Sequence, residues 1–357
     1  MKKKQTEVSY FAAANTANGF YSCFPALFDP KSGEWNHIYI VKGGPGTGKS
    51  GFMKRAAEAA EKRGCNVERF YCSSDTNSLD GVRIPSRGIA FLDGTAPHAV
   101  DPVYPGALEE ILNMGMFFDI EHLRGAKEEI QRLHAENAAC HARASRYLRA
   151  AGEIHAAFQT LVRDAFLSEK ADAAAARMLH GTPVEKEENI HICTRFVTAN
   201  SVQGMVHLPT AETHAARCVM VDDKKHLAAF VLSSLVRAAE KRGVSYTRFA
   251  SPLQPEETEG LYFPGMDTLY MTDRYGVVRD DAEKLNTARF FDAKKLSSVR
   301  ESAQFASKCE TALTEGALEA LAEAGRIHDE LESHYVSAMD FTALNAYTDR
   351  FLKAFLA

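Results

Sequence analysis

The chain has 357 residues, too many for one typical domain and enough for two, and its 45% apolar and 25% charged residues are ordinary for a globular protein. A formal net charge of −5 gives no overall basic surface, which argues against nucleic acid as a partner, and no stretch approaches the roughly 18 apolar residues of a membrane span. Seven cysteines without a CxxC pair predict neither a disulfide framework nor a zinc site, so we expect a cytoplasmic protein with reduced thiols.

The two halves of the chain repeat one pattern. The matching segments are 59–64 with 238–243, 11–19 with 196–204, and 117–119 with 290–292, at offsets of 179, 185 and 173 residues. Consistent offsets over three stretches indicate an internal duplication. We therefore predict a first half at residues 1–185 and a second at 186–357, forming an intramolecular pseudo-dimer.

Each half begins with a short extended piece and then the pattern of a buried strand, at 37–41 and 217–221. In the first half a helix over 50–63, closed by Gly64, leads to strands at 67–71 and 89–92. The sequence predicts an α/β fold with a parallel sheet. Residues of about 108–180 and 282–357 favour long helical extensions, either hairpins packed on the sheet or a coiled-coil site for a partner.

A glycine-rich turn separates the first buried strand from its helix and matches GxxxxGK[ST], the P-loop or Walker A motif, which predicts a P-loop NTPase core. Its glycines allow a close approach of the backbone to phosphate oxygens at the positive end of the following helix. Lys49 is predicted to bridge the β- and γ-phosphates, and Ser50 to ligate Mg²⁺. The predicted nucleotide-binding residues are Gly43, Gly44, Pro45, Gly46, Thr47, Gly48, Lys49, Ser50 and Gly51.

The strand at 89–92 ends in Asp93, which fits a Walker B acid that reaches Mg²⁺. We therefore predict a metal site formed by Ser50 and Asp93, the alternative for Asp93 being a turn-forming role before Gly94. No glutamate follows Asp93. The residue that activates water must then lie elsewhere in the chain, or turnover is slow.

Two loops at the same sheet edge hold further catalytic candidates. The polar segment 72–81 contains Asp75, our first candidate for positioning water or an acceptor hydroxyl, and Asp80 as a second. Their alternative role is to cap the loop. His98 follows Asp93 and could contact the γ-phosphate or a substrate, or be structural.

These motifs resemble a family of uncharacterised bacterial ATPases built from tandem P-loop halves. The resemblance spans the chain and rests on Asn15-Thr16 with Gly19-Phe20, residues 42–50, 72–81 and 93–98, and Pro102 with Pro105-Gly106. It implies nucleotide binding, and in such proteins the second half can also carry a phosphate loop. Here residues 222–229 read Asp-Asp-Lys-Lys-His-Leu-Ala-Ala instead. We therefore expect one nucleotide per chain, because two acids at the turn repel a triphosphate.

The sequence thus predicts a Mg²⁺-dependent ATPase whose degenerate half covers or regulates the active one. ATP is preferred over GTP because no Asn-Lys-x-Asp segment is present. Lys224, Lys225 or Arg274 could act in trans like an arginine finger, or be surface cations. The alternatives are a small-molecule or nucleotide kinase, with Asp75 facing the acceptor, and a nucleotide-dependent binding module for a protein partner with negligible turnover.

Overall fold

The computed structural model describes residues 8–96, 99–184, 190–224, 226–276 and 278–355. Within these ranges, no helix is both long enough and apolar enough to cross a lipid bilayer. His98 and Lys225, both named above as candidates, lie outside the described residues.

The described residues of the first half form eight strands and five α-helices. The strands are β1 (Val8–Phe11), β2 (Ala13–Thr16), β3 (Gly19–Ser22), β4 (His37–Lys42), β5 (Glu68–Tyr71), β6 (Leu79–Ile84), β7 (Ile89–Asp93) and β8 (Glu109–Asn113). The helices are α1 (Phe24–Leu27), α2 (Lys49–Glu61), α3 (Ile120–Gly125), α4 (Lys127–Arg163) and α5 (Ser168–Met178). Six strands form one sheet in the order β1-β5-β6-β7-β4-β8, and β2 and β3 form a separate hairpin.

The second half repeats this arrangement. Its strands are β9 (Ile192–Arg195), β10 (Thr198–Ser201), β11 (Gly204–His207), β12 (Arg217–Val221), β13 (Tyr246–Ala250), β14 (Thr258–Phe263), β15 (Thr268–Thr272) and β16 (Glu283–Leu285). Its helices are α6 (Thr210–His214), α7 (Ala228–Arg242), α8 (Ala293–Ser298), α9 (Arg300–Ser337) and α10 (Phe341–Phe355). The sheet order β9-β13-β14-β15-β12-β16 is that of the first half, as the internal duplication predicts.

Both sheets are mixed, which corrects the prediction of a parallel sheet. β6 pairs antiparallel with β5 and with β7, although we expected its first residues to be part of a loop. Leu79, Val82 and Ile84 are almost completely buried. Burial of these apolar side chains explains why the segment forms a strand between β5 and β7. Asp80 therefore lies in a strand, with 6% of its surface exposed, and not in a loop.

Reciprocal hydrogen bonds join the two halves around an approximate two-fold axis. The side-chain amide of Asn15 donates to the carbonyl of Asn200 at 3.0 Å, and that of Asn200 donates to the carbonyl of Asn15 at 3.1 Å. The N–H of Ala17 donates to the carbonyl of Leu253 at 2.9 Å, and that of Val202 to the carbonyl of Ser74 at 3.0 Å. Each bond has a counterpart with the halves exchanged, so the pseudo-dimer is an intramolecular analogue of an isologous interface.

The helical extensions do not pack on their own sheets as hairpins. α4 and α9 pack along each other. The helix that follows each of them packs on the opposite half: α5 on α7 of the second half, and α10 on α2 of the first. With 37 residues, α4 spans about 55 Å at 1.5 Å per residue, so it carries the chain to the opposite half. The predicted extensions also begin later than expected, because β8 and β16 add an edge strand to each sheet before the helices start.

The exchanged helices complete the cores. Phe351 of α10 lies 5.1 Å from the ring of Tyr39 on β4, and Phe355 lies 5.2 Å from that of Phe91 on β7. Likewise, Phe158 and Val162 near the end of α4 belong to the core of the second half. Each half therefore depends on the other for buried apolar surface, the main favourable contribution to folding.

Candidate functional site

The glycine-rich turn, residues 43–51, follows β4 at the carboxyl edge of the first sheet and includes the first three residues of α2. Gly46 and Gly48 have φ of +63° and +79°, a left-handed conformation that glycine adopts without steric cost. The hydroxyl of Thr47 donates to the carbonyl of Gly44 at 2.8 Å and tightens the turn. The free N–H groups at the start of α2 lie at the end of this turn, which makes it a suitable place for an anion.

Lys49 and Asp93, two predicted catalytic residues, are neighbours. The ammonium of Lys49 donates to the carbonyls of Gly43 and Gly44 at 3.3 and 2.7 Å and lies 3.6 Å from a carboxylate oxygen of Asp93. Both side chains are largely buried, with 11% and 15% exposed. β4 and β7 pair in parallel, with Val41 opposite Asp93, so adjacent strand ends bring the two groups together.

Ser50 fits the predicted role of a metal-ligating hydroxyl. It follows Lys49 directly, and its Oγ accepts a hydrogen bond of 2.9 Å from the N–H of Leu79. An oxygen that accepts from the protein retains a lone pair for a cation. The described residues contain no group of three or more His, Cys, Asp or Glu side chains able to hold a metal ion. Nucleotide-bound Mg²⁺ needs no such cage, since waters and phosphate oxygens supply most of its ligands.

Asp75 organises the loop after β5. Its carboxylate accepts from the hydroxyl of Ser78 at 2.6 Å, from the N–H of Asn77 at 3.1 Å and from the side chain of Gln203 at 3.2 Å. Burial favours the neutral carboxyl, but these three donors outweigh it and lower the pKa of Asp75. Asp75 therefore caps the loop as an ionised carboxylate, and Gln203 of the second half is one of its hydrogen-bond donors.

Side chains of the second half cover the glycine-rich turn. A Cβ on Gly44 would lie 2.8 Å from the ring of Tyr335, and one on Gly46 would lie 2.6 Å from Glu332 and 2.7 Å from Val336. All three are on α9, and Gln203 comes from the β10–β11 turn. No local motif in the sequence marks these residues. Only the path of α9 between the halves brings them here.

The equivalent turn of the second half carries its own anion. A carboxylate oxygen of Asp223 accepts from the N–H of Ala228, the first residue of α7, at 2.9 Å, and the other accepts from Arg274 at 2.8 Å. Asp223 thus occupies the helix N-terminus where an external phosphate could bind. Arg274 is held within its own half, which contradicts a trans-acting role, and Lys224 is exposed in the turn.

No family model, curated protein or solved structure matches this chain significantly. The geometry of this site is therefore the basis for assigning a function.

Proposed function

We propose that the protein binds and hydrolyses ATP with Mg²⁺ at residues 43–51, which act as a phosphate loop in a P-loop NTPase core. One observation carries the proposal. A strand ends in a turn with two left-handed glycines, the turn opens into a helix, and the helix begins with a lysine directed toward Asp93. This combination of a helix N-terminus, a buried cation and a neighbouring acid suits a magnesium triphosphate.

The side chains have separate roles in this proposal. Lys49 leaves the carbonyls of the turn and binds the β- and γ-phosphates, and Ser50 and Asp93 hold Mg²⁺, Asp93 directly or through water. Water attacks the terminal phosphorus as the bond to the bridging oxygen breaks. The products are ADP, inorganic phosphate and a proton released to solvent.

We further propose one nucleotide per chain. The Asp223 carboxylate satisfies the N-terminus of α7 and neutralises Arg274, so a second triphosphate would have to displace a buried ion pair. Titration calorimetry with a non-hydrolysable ATP analogue and Mg²⁺ is expected to give a stoichiometry of one. A stoichiometry of two would refute this part. The absence of a disulfide bond among the described cysteines agrees with the reducing cytoplasm that we propose as the location.

The decisive experiment compares the wild-type protein with Lys49→Ala in a multiple-turnover assay of phosphate release. Loss of one group that stabilises transition-state charge is expected to lower kcat by roughly 10²–10³-fold. Lys62→Ala, a change of an exposed lysine just after the same helix, serves as the control and should retain full activity.

A nucleotide-dependent binding module is the second candidate, because Gly94 and not glutamate follows Asp93. Nucleotide binding without turnover above the Lys49→Ala level would select this function. Phosphate transfer that requires an added hydroxyl acceptor would select a kinase, in which the ionised Asp75 would face the acceptor.

A further inference from the structure

α9 presents one face to the glycine-rich turn. Tyr335 lies against Gly44 and Glu332 against Gly46, and both side chains belong to the same helix face as His328, four and seven residues earlier in the chain. His328 is half-buried, and its imidazole lies close enough to Asp75 to contribute to the lowered pKa of that carboxyl. The imidazole is therefore placed beside the Asp75 loop, at the entrance to the turn.

The two-fold relationship between the halves gives His328 a structural equivalent whose contacts are known. His155 of α4 is equivalent to His328, at the offset of 173 residues. Its Nδ1 lies 2.9 Å from Glu310 and its Nε2 lies 2.9 Å from Glu257, with only 3% of the side chain exposed. In the second half this imidazole therefore binds two anions that belong to the protein.

The first half has neutral residues where those anions would be. Ser78 stands in place of Glu257 at the offset of 179, and Asn137 in place of Glu310 at the offset of 173. Gly44 likewise stands in place of Asp223. Three internal carboxylates of the degenerate site thus have neutral residues at the equivalent positions of the first half, while the histidine is present in both halves.

Position 78 also adjoins the proposed metal site. The next residue, Leu79, donates its N–H to the hydroxyl of Ser50. His155 contacts Glu257, the equivalent of position 78, so the two-fold relationship places His328 facing the region where the terminal phosphate and Mg²⁺ would lie.

We propose that His328, contributed by the second half, contacts the terminal phosphate of the nucleotide bound at residues 43–51. The inference rests on the proposed ATPase function. The imidazole donates a hydrogen bond to a phosphoryl oxygen and stabilises the charge that develops as the terminal phosphoryl group leaves. The degenerate half thereby supplies a catalytic residue, and its internal carboxylates mimic the anion that the active half takes from solution.

The test measures kcat and the dissociation constant of the magnesium complex of a non-hydrolysable ATP analogue for wild-type protein, His328→Ala and His334→Ala. His334 is on the same helix and serves as the control, because it contributes to the lowered pKa of Glu129 and not to that of Asp75. We expect His328→Ala to lower kcat by about 10²-fold or more with a dissociation constant within about threefold of the wild type. Added imidazole should restore part of the lost rate, whereas His334→Ala should behave as wild type.

A His328→Ala variant with a kcat near the wild-type value would overturn the inference and leave the ATPase proposal intact. Equal losses in both histidine variants, without rescue by imidazole, would also overturn it, because they indicate a structural role for the helix. A wild-type protein no more active than Lys49→Ala would remove the proposed function and this inference together.

Discussion

Substitution of Gly46 by alanine tests whether α9 is seated on the glycine-rich turn as the structure has it. The left-handed φ of +63° costs an alanine about 1–2 kcal/mol. Its Cβ would also lie 2.7 Å from a methyl of Val336, which is stiff because it is β-branched, and overpacking of this kind costs about 1–3 kcal/mol. The two contributions predict a loss of about 2–5 kcal/mol in the free energy of unfolding, measured by urea denaturation.

Two other glycines separate these contributions. Gly64 has φ of +77° with open space around its Cβ position, so Gly64→Ala should lose only the conformational part, about 1–2 kcal/mol. Gly51 is inside α2 with open space and an ordinary φ, so Gly51→Ala should gain about 0.5–1 kcal/mol. A Gly46→Ala variant no less stable than Gly64→Ala would refute the contact between α9 and the turn.

The buried histidine and the internal anion of the second half give two further predictions. Burial alone would lower the pKa of His155, but its two glutamates raise it from 6.5 to about 9. Because the folded value is the higher one, this stabilisation, at most about 3 kcal/mol, is fully present below pH 6.5 and is lost as the pH rises through 9. Urea denaturation from pH 6 to 10 should show this decline, and His155→Gln should lack it. Asp223→Ala leaves Arg274 without its carboxylate and should lower the free energy of unfolding by about 3 kcal/mol. Calorimetry on this variant should still give one nucleotide per chain. A second bound nucleotide would show that Asp223 alone blocks the degenerate site.

Local sequence identified the elements around the site. The apolar runs ending at Lys42 and Asp93 and the glycine-rich turn between strand and helix are encoded within a few residues each, so their positions follow from hydrophobic periodicity and turn chemistry. The repeated segments likewise predicted that the second sheet copies the first, since homologous halves bury the same positions.

β6 shows where this reasoning failed. Its first three residues include Asp80 and Gly81, and the sequence predicts a loop there because Asp and Gly are common in turns. Burial between β5 and β7 overrides that local preference, because a strand in the middle of a sheet has all its backbone groups paired whatever its side chains.

The sequence by itself determined the duplication, the strand and helix next to the turn, and the residues Lys49 and Asp93 whose side chains meet there. Only the tertiary structure decided that α5 and α10 change halves and that α9 places Glu332 and Tyr335 on the turn. The physical reason is that periodicity defines which face of a helix is apolar but not which surface covers it. Here the length of α4 and α9 determines which sheet the following helix covers, since two helices of about 55 Å cannot end on the sheets from which they start.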